Sequence, residues 1–390
     1  MDDGPPEDPI APVAPVVPLS SRAISTAALA FRGYNVENLG RTPELLRDPR
    51  YRTIFESELS KASTHAARHL GRDVDLLAYV EAGREPTLEE YGEAVALIIA
   101  ASIAQLRCLN EVHDIDWRPS RVSLGYSLGE ISALVASGTL ELGEAMLAPL
   151  RLADDCVDLA HGVELAVMFH RKLQLDPRHV QRAMLETNLE GRGVMGVSAV
   201  LSPNSLLVLG QGDTLSRFYE RMRGYCDERL HLRRNPHHWP PLHTPIVWQR
   251  NIPSRAAQLM LSMRGGMTAP TPPVLSLVTG ATSYTEGNVR DILYRWIDQP
   301  QSLWAGVCAM LGMGVRTVIH VGPQPNIIPA TLKRLSDNVT AQLKGNLGMR
   351  ALAGLARRSW LQALLPQQAS LLRAPQLKQI VLEDWLLRDA

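Results

Sequence analysis

Ser127 lies at the centre of a short pattern, Gly125-Tyr126-Ser127-Leu128-Gly129, that can turn a serine hydroxyl into a nucleophile. Gly-X-Ser-X-Gly is typical of a nucleophile elbow, a sharp turn that holds the serine hydroxyl clear of a sheet. A serine hydroxyl attacks poorly until a neighbouring base removes its proton, so the pattern also requires a partner such as histidine. The chemistry that we expect is covalent catalysis on an acyl group.

The residues around this pattern predict the strand and the helix that an elbow needs. The apolar run 122–124 comes directly before it, and the helix-forming run 131–136 follows it. The N-terminus of that helix would direct unpaired N–H groups and a positive dipole at an oxyanion beside Ser127. The bare pattern also occurs by chance in long sequences, but this context favours the nucleophile.

The segment 125–138 closely resembles the active-site segment of malonyl-CoA:acyl carrier protein transacylases and polyketide-synthase acyltransferase domains. That family typically reads Gly-His-Ser-Leu-Gly-Glu, whereas here Tyr126 replaces the histidine and Ile131 replaces a later aromatic residue. Further stretches resemble the family in the same order, so the resemblance covers about residues 24–335. It implies an acyltransferase that forms an acyl-enzyme on Ser127.

A histidine motif, Leu242-His243-Thr244-Pro245, also resembles the family. The resemblance implies that His243 is the catalytic base, that a main-chain carbonyl orients it, and that Leu242 lies at the substrate. An acidic third catalytic residue is therefore not required. Without the resemblance, one histidine among eleven would be assigned to the surface or the core.

The resemblance further implies an oxyanion hole made of two backbone amides. One is the amide of Leu128. The other belongs to a loop after the first strand, which in the family reads Phe-Pro-Gly-Gln-Gly and here reads Phe31-Arg32-Gly33-Tyr34. We expect the Tyr34 amide to serve, with Gly33 at the substrate, because the donor is main chain and not side chain.

In malonyl-type members an arginine after the elbow helix pairs with the free carboxylate of the substrate, since a guanidinium grips a carboxylate with two hydrogen bonds. A gapless match puts Leu152 at that place and Arg151 one residue before it. Pro149 removes a helical hydrogen bond and can shift the register by one residue, about 100° around the helix. We predict that Arg151 is the carboxylate clamp. The alternative is a solvated Arg151 with Leu152 in the pocket, which would favour an uncharged acyl group.

Strands that alternate with helices predict an α/β fold with a mainly parallel, α/β-hydrolase-like sheet. A β-α-β-β-α order within it predicts an inserted ferredoxin-like subdomain. The predicted parts are a disordered proline-rich leader (1–23), a large acyltransferase domain (24–162 and 230–335), the inserted subdomain (163–229) and a helical C-terminal extension (336–390).

The composition limits the partners and the location that we expect. Lys plus Arg and Asp plus Glu are both 40, so the formal net charge of zero gives no general attraction to nucleic acid or anionic membranes. The sequence contains no uncharged apolar run of about 18 residues, so we expect no membrane span. The acidic, proline-rich N-terminus does not resemble a signal peptide. The four cysteines lie far apart and form no C-x-x-C pair, as expected for reduced thiols in the cytoplasm.

The histidines do not predict a metal site. His237 and His238 would diverge in a loop near His243, and no cysteine or acidic ligand joins them at a recognised spacing. His65 and His69 share one helix face but lack further ligands. No resident cofactor is expected, and coenzyme A thioester is expected as a substrate.

The leading hypothesis is a cytoplasmic acyltransferase that moves an acyl group, expected to be malonyl, from coenzyme A through a Ser127 ester to the phosphopantetheine thiol of an acyl carrier protein. Arg233 and Arg234 would meet the coenzyme A phosphates or the carrier protein, or would simply be solvated. A serine ester or thioester hydrolase with the same elbow is a rival, and it would release free acid at a rate indifferent to carrier protein. A non-catalytic scaffold is a further rival. The sequence leaves the oligomeric state and the pathway, fatty-acid or polyketide, open.

Overall fold

A parallel sheet carries the Gly-X-Ser-X-Gly segment. The computed structural model describes residues 19–226, 229–344, 364 and 369–388. In chain order, the strands within these ranges are β1 (Ala27–Phe31), β2 (Val122–Gly125), β3 (Val163–His170), β4 (Met195–Ser202), β5 (Ser205–Gln211), β6 (Leu230–Asn235), β7 (Val274–Leu275), β8 (Gln301–Ser302), β9 (Thr317–Val321) and β10 (Lys378–Val381).

The parallel sheet has the strand order β10-β9-β1-β2-β7, and every neighbouring pair is parallel. All residues of β1 and β2 are buried. Because successive side chains of a strand point to opposite faces, both faces of the sheet are covered at its centre. Strands buried on both faces are near-continuous apolar runs, as the Ala-Ala-Leu-Ala-Phe sequence of β1 is. The predicted α/β class with a mainly parallel sheet is confirmed.

Helices connect and cover these strands. They are α1 (Ser21–Ile24), α2 (Thr42–Arg47), α3 (Arg52–Leu70), α4 (Leu76–Ala82), α5 (Tyr91–Glu111), α6 (Leu128–Ala136), α7 (Leu142–Arg151), α8 (Ala153–Ala160), α9 (Pro177–Leu189), α10 (Thr214–Arg223), α11 (Ile252–Ser262), α12 (Val289–Asp298), α13 (Leu303–Gly312), α14 (Ile327–Lys344) and α15 (Leu382–Arg388), with 3₁₀ helices at Pro245–Arg250 and Ala369–Gln376. The parallel strands and the helices between them share one apolar core.

Helix α5 is long and apolar enough to cross a membrane by length and composition alone. However, 89% of its most apolar window is buried inside the protein, where it packs against α3, α6 and α7. A helix that is apolar all round and buried in this way is typical of the core of a large domain.

The second sheet is built from the inserted segment. Its strands have the order β6-β3-β5-β4, each antiparallel to its neighbour, and α9 and α10 lie between them along the chain. The element order is β-α-β-β-α-β, which is also the order of ferredoxin-like units. The last strand, β6, begins at Leu230, one residue beyond the boundary predicted at 229. Strand β8, from the large domain, extends this sheet by pairing with β4.

The inserted segment rests directly on the loop that carries His243. Ser198 on β4 donates its Oγ hydrogen to the carbonyl of Leu242 (3.3 Å). A Cβ atom at Gly196 would lie 2.5 Å from the Cδ atom of Pro245, so only glycine permits the strand to approach this loop so closely. The position of the histidine loop therefore depends on β4.

The C-terminal region differs from the helical extension predicted for 336–390. Helix α14 is described as far as Lys344 and α15 is the last described element, but Lys378–Val381 forms β10, the edge strand beside β9. Four residues with only two apolar members carry little strand signal of their own. The open edge of β9 supplies the hydrogen bonds that fix them as a strand. Residues 345–363 and most of the proline-rich leader, 1–18, lie outside the described residues.

Candidate active site

The Gly-X-Ser-X-Gly segment forms a sharp turn between β2 and α6. Ser127 has φ 52° and ψ −120°, a conformation that a residue with a side chain rarely adopts. Such a conformation costs about 1–3 kcal/mol and persists only where the surroundings hold it. Here the carbonyl of Ser127 accepts two hydrogen bonds, from the amide of Glu130 (2.9 Å) and from the indole Nε1 of Trp296 (3.1 Å).

The two glycines of the pattern are required by close backbone contacts. A Cβ atom at Gly125 would lie 1.9 Å from the carbonyl carbon of Gly129. A Cβ atom at Gly129 would lie 2.3 Å from the carbonyl oxygen of Phe31 on the neighbouring strand. Both distances are impossible for real carbon atoms, so helix α6 can start this close to β1 and β2 only with glycine at these positions.

Ser127 and His243 form a hydrogen-bonded pair, although 116 residues separate them in the sequence. The Oγ of Ser127 lies 2.7 Å from Nε2 of His243, and Nδ1 of His243 lies 2.6 Å from the carbonyl oxygen of Trp296. A carbonyl can only accept, so Nδ1 carries the proton and Nε2 is the acceptor for the serine hydroxyl. A main-chain carbonyl thus fixes the ring in the tautomer that a general base needs.

The end of helix α12 holds the histidine. The carbonyl groups in the last turn of a helix have no partner within the helix. Two of them are used here, because the carbonyl of Trp296 accepts from the His243 ring and that of Ile297 accepts from the His243 amide (2.7 Å). The negative end of the helix dipole also favours the imidazolium that forms during proton transfer. The Trp296 ring meets the imidazole edge to face, with centroids 4.8 Å apart.

Burial lowers the pKa of His243 to about 4, with the hydrogen bond to the Trp296 carbonyl acting in the opposite direction. The imidazole is therefore neutral near pH 7 and ready to accept the proton of Ser127. A neutral imidazole that accepts a hydrogen bond from a serine hydroxyl is the starting state of nucleophilic catalysis by serine.

The two backbone amides predicted for an oxyanion hole belong to Leu128 and Tyr34. Leu128 is the first residue of α6, where N–H groups lack helical acceptors. In the part of the chain that the structure describes, neither its amide nor that of Tyr34 donates to a protein acceptor. The loop that carries Tyr34 passes very close, since a Cβ atom at Gly33 would lie 3.3 Å from the Cβ atom of Ser127.

Arg32 anchors this loop, and sequence reasoning did not assign it a role. Its side chain is fully buried and donates to the carbonyl oxygens of Gly33 (2.7 Å), Pro323 (2.8 Å) and Glu37 (3.1 Å) and to Oδ1 of Asn38 (2.9 Å). Burial lowers its pKa to about 10, so it stays charged at neutral pH. The guanidinium therefore ties the loop after β1 to the loop after β9.

This chain is similar to known proteins in sequence and in fold. A scan against family models finds no match. The malonyl CoA-acyl carrier protein transacylase of Escherichia coli (strain K12) is 25% identical over 270 residues, which are 68% of this chain and 82% of that protein. The protein of the same name from Salmonella typhimurium is 24% identical over 317 residues, or 80% of this chain and 94% of that protein.

Solved structures share the fold. An acyl carrier protein S-malonyltransferase from Vibrio cholerae superposes with a TM-score of 0.63 at 20% identity, covering 79% of this chain and 93% of that one. A malonyl-transacylase in complex with its type II polyketide-synthase acyl carrier protein gives 0.60 at 21% identity, with 78% and 91% covered. This chain has the fold of the malonyl-CoA:acyl carrier protein transacylases. The family resemblance seen in the sequence is confirmed.

The structure brings most of the residues predicted for a transacylase site into one cleft of about 350 Å³. Gly33, Tyr34, Ser127, Leu242 and His243 all line it. Aromatic rings narrow one side of the cleft, and the Tyr34 ring contacts two further rings edge to face. The cleft lies between the large domain and the sheet of the inserted segment.

Arg151, the predicted clamp of the transacylase substrate, does not line this cleft. Helix α7 ends at Arg151, whose side chain is exposed, while Leu152 is 4% exposed and faces a second cavity behind the cleft. The register shift that we expected from Pro149 does not turn Arg151 inward. The helix stays regular through the proline and breaks only at Leu152, before α8 begins at Ala153.

The other basic residues and the histidines considered in the sequence analysis do not form a common site. Arg234 forms an ion pair with Glu164 on the outer part of the inserted sheet, and Arg233 faces surface grooves beside it. Among the described residues, no group of three or more histidine, cysteine or acidic side chains is placed to hold a metal ion. His238 contacts the carbonyl of Val163 instead.

Proposed function

We propose that this protein is an acyltransferase that moves an acyl group from a coenzyme A thioester to the phosphopantetheine thiol of an acyl carrier protein, through an ester on Ser127. The observation that carries the proposal is the pair of short contacts at His243. Its Nε2 lies 2.7 Å from Ser127 Oγ, and its Nδ1 is fixed by the Trp296 carbonyl at 2.6 Å. The pair lines an open cleft that can admit an extended thioester.

The first half of the reaction makes the acyl-enzyme. Ser127 Oγ attacks the thioester carbonyl carbon while Nε2 of His243 takes the hydroxyl proton. The amides of Leu128 and Tyr34 then donate to the tetrahedral oxyanion, where each donor contributes most because the site is desolvated. The carbon–sulfur bond breaks, the imidazolium returns its proton to the departing thiolate, and coenzyme A leaves as the free thiol.

The second half reverses these steps with a different thiol. The phosphopantetheine thiol of the carrier protein gives its proton to Nε2 of His243 and attacks the ester carbonyl on Ser127. The same amides hold the second oxyanion. The bond from the carbonyl carbon to Oγ breaks, and the imidazolium protonates Oγ, which restores the enzyme. This scheme has no redox change and no resident cofactor, and coenzyme A takes part only as substrate and product.

The comparisons support the partner in this proposal. The named relatives are acyl carrier protein transacylases, and one structural neighbour was solved with its carrier protein bound. The relatives are named for malonyl, which makes malonyl the first acyl group to test. A cytoplasmic location follows from the same proposal, because the cytoplasm contains coenzyme A thioesters and carrier proteins.

The test is the intact mass of the protein after incubation with coenzyme A thioesters, followed by addition of holo acyl carrier protein. We expect one acyl group on the peptide that contains Ser127, and its transfer to the carrier protein. Ser127→Ala should carry no adduct. Ser254→Ala is the matched control, because Ser254 lies on α11 and lines a surface groove outside the cleft. An equal adduct on Ser127→Ala would refute the proposal, and loss of the adduct to water alone would indicate a hydrolase.

A further inference from the structure

A narrow cavity lies directly behind the Ser127–His243 pair, and its lining is almost entirely apolar. It is formed by α6, α7, α8, α11 and α12, with a volume of about 40 Å³. Ile131, Leu152, Met260 and Leu293 are among the side chains that line it. Since a single water needs about 10–15 Å³ on this scale, the cavity has room for three or four water-sized or methyl-sized groups.

The cavity and the catalytic cleft share a wall. Tyr91 and Leu242 line both of them. Trp296 also lines the cavity, and the same residue bonds to the Ser127 carbonyl and to the His243 ring. The side chains of Tyr91 and Leu242 therefore lie between the cleft that holds Ser127 and the cavity, and Leu242 is a flexible aliphatic one.

Neither space offers a cation to a substrate carboxylate. Among the described residues, no lysine or arginine lines the cleft or the cavity, and the one histidine, His243, is held neutral by burial. Among the described residues that line the cavity, the only carboxyl group is that of Glu144, which pairs with the exposed Arg264. A carboxylate placed here would meet apolar surface and a like charge.

Leu152 lines the cavity, and Arg151 does not. Leu152 is the single residue between the end of α7 and the start of α8, and its side chain is 4% exposed. The neighbouring guanidinium of Arg151 points to solvent. The break between the helices thus buries the leucine and excludes the arginine.

We infer that the acyl group carried by Ser127 is short, aliphatic and uncharged, that it occupies the cavity behind Tyr91 and Leu242, and that Leu152 is a specificity-determining residue. This inference rests on the proposed acyl transfer and names the substrate class of that site. A buried carboxylate without a partner is strongly disfavoured, so the expected discrimination against malonyl is about tenfold or more. Each methylene buried in the cavity should raise loading by about fourfold.

The test compares malonyl-CoA with isovaleryl-CoA, because the two acyl groups have the same number and branching of heavy atoms and differ in charge. Rates of adduct formation on Ser127 are measured by quenched-flow and intact mass, with acetyl-CoA as the short reference. We expect isovaleryl to load at least tenfold faster than malonyl. Equal rates, or faster malonyl loading, would overturn the inference and leave the proposed function intact.

Substitutions at Leu152 test whether this residue sets the preference between the two acyl groups. Leu152→Arg should raise malonyl loading relative to isovaleryl loading by tenfold or more, whereas Leu152→Met keeps the volume and should leave the ratio within about threefold of the wild type. An unchanged ratio in a folded Leu152→Arg protein would remove Leu152 from the inference. If that variant does not fold, the wild-type comparison still decides the substrate class.

Binding of the same thioesters to Ser127→Ala protein tests the acyl specificity without the acyl-transfer reaction. The dissociation constants are measured by calorimetry and do not depend on acyl transfer. Tighter binding of isovaleryl-CoA than of malonyl-CoA by about tenfold would support the cavity as the acyl site even if no adduct formed on the wild-type protein. Equal binding, together with no adduct, would overturn both the inference and the proposed function.

Discussion

Trp296 contacts both Ser127 and His243, and Trp296→Phe removes only one of these two contacts. The change removes the indole N–H that donates to the Ser127 carbonyl at 3.1 Å. It retains the main-chain carbonyl that orients His243 and an aromatic ring to pack against the imidazole. The Ser127 carbonyl also keeps its bond from the amide of Glu130 at 2.9 Å, so it is not left without a partner.

The magnitude follows from this partial loss. A neutral hydrogen bond whose acceptor retains another donor is worth about 0.5–1.5 kcal/mol. The bond supports a strained residue. We therefore expect its removal to disturb the alignment of Ser127 Oγ and to slow acyl-enzyme formation about two- to tenfold. In thermal unfolding the same energy corresponds to a fall in Tm of about 2 °C.

The assay is single-turnover loading by quenched-flow mass spectrometry, with Tm measured on the same samples. Trp248→Phe is the matched control, because the Trp248 indole donates to Asp298 at the same end of α12 (2.9 Å) but is 45% exposed and lies outside the cleft. That control should load at the wild-type rate. A wild-type rate in Trp296→Phe would show that the indole bond does not position Ser127. A loss beyond a hundredfold with an unchanged Tm would mean that the indole acts in the chemistry itself.

Two further predictions concern the base and the elbow. Since burial lowers the pKa of His243 to about 4, the base stays unprotonated as the pH falls from 8 to about 5, and the loading rate should halve only near pH 4. A pH–rate profile with its midpoint near 6.5, the ordinary histidine value, would contradict the buried base. Gly129→Ala would place a Cβ atom 2.3 Å from the Phe31 carbonyl oxygen, so Tm should fall by about 5 °C or more. Gly312→Ala, where a Cβ atom meets nothing within 4 Å, should leave Tm nearly unchanged in the same measurement.

The elbow was predictable from sequence because its determinants are local. Two glycines four residues apart, an apolar run before them and a helical run after them are visible without any knowledge of the fold. The structure shows why the spacing is needed, since Gly125 and Gly129 lie against each other and against β1. His243 required the family motif, because nothing in its own neighbourhood distinguishes it from other histidines.

The contributions of Trp296 and Arg32 could not be predicted in the same way. Trp296 contacts Nδ1 of His243 through its main-chain carbonyl, which any residue at that helix end would offer. No side-chain pattern in the sequence therefore identifies Trp296. Arg32 binds the carbonyl groups of Gly33 and Glu37 in its own loop and that of Pro323, which is 291 residues away in the sequence. The orientation of Arg151 depended on where α7 breaks, and that is decided by the burial of Leu152 against neighbouring helices.

The wide sequence separation within the active site has a consequence for protein synthesis. Trp296 follows Ser127 by 169 residues, so the nascent chain presents the elbow long before the base and its support have emerged from the ribosome. At about 5–20 residues per second, this interval lasts roughly 10–30 s. Under the proposed mechanism, the serine lacks its proton acceptor during that time. The proposed activation of Ser127 is thereby coupled to completion of the domain, and truncated chains that end before α12 are expected not to react with thioesters.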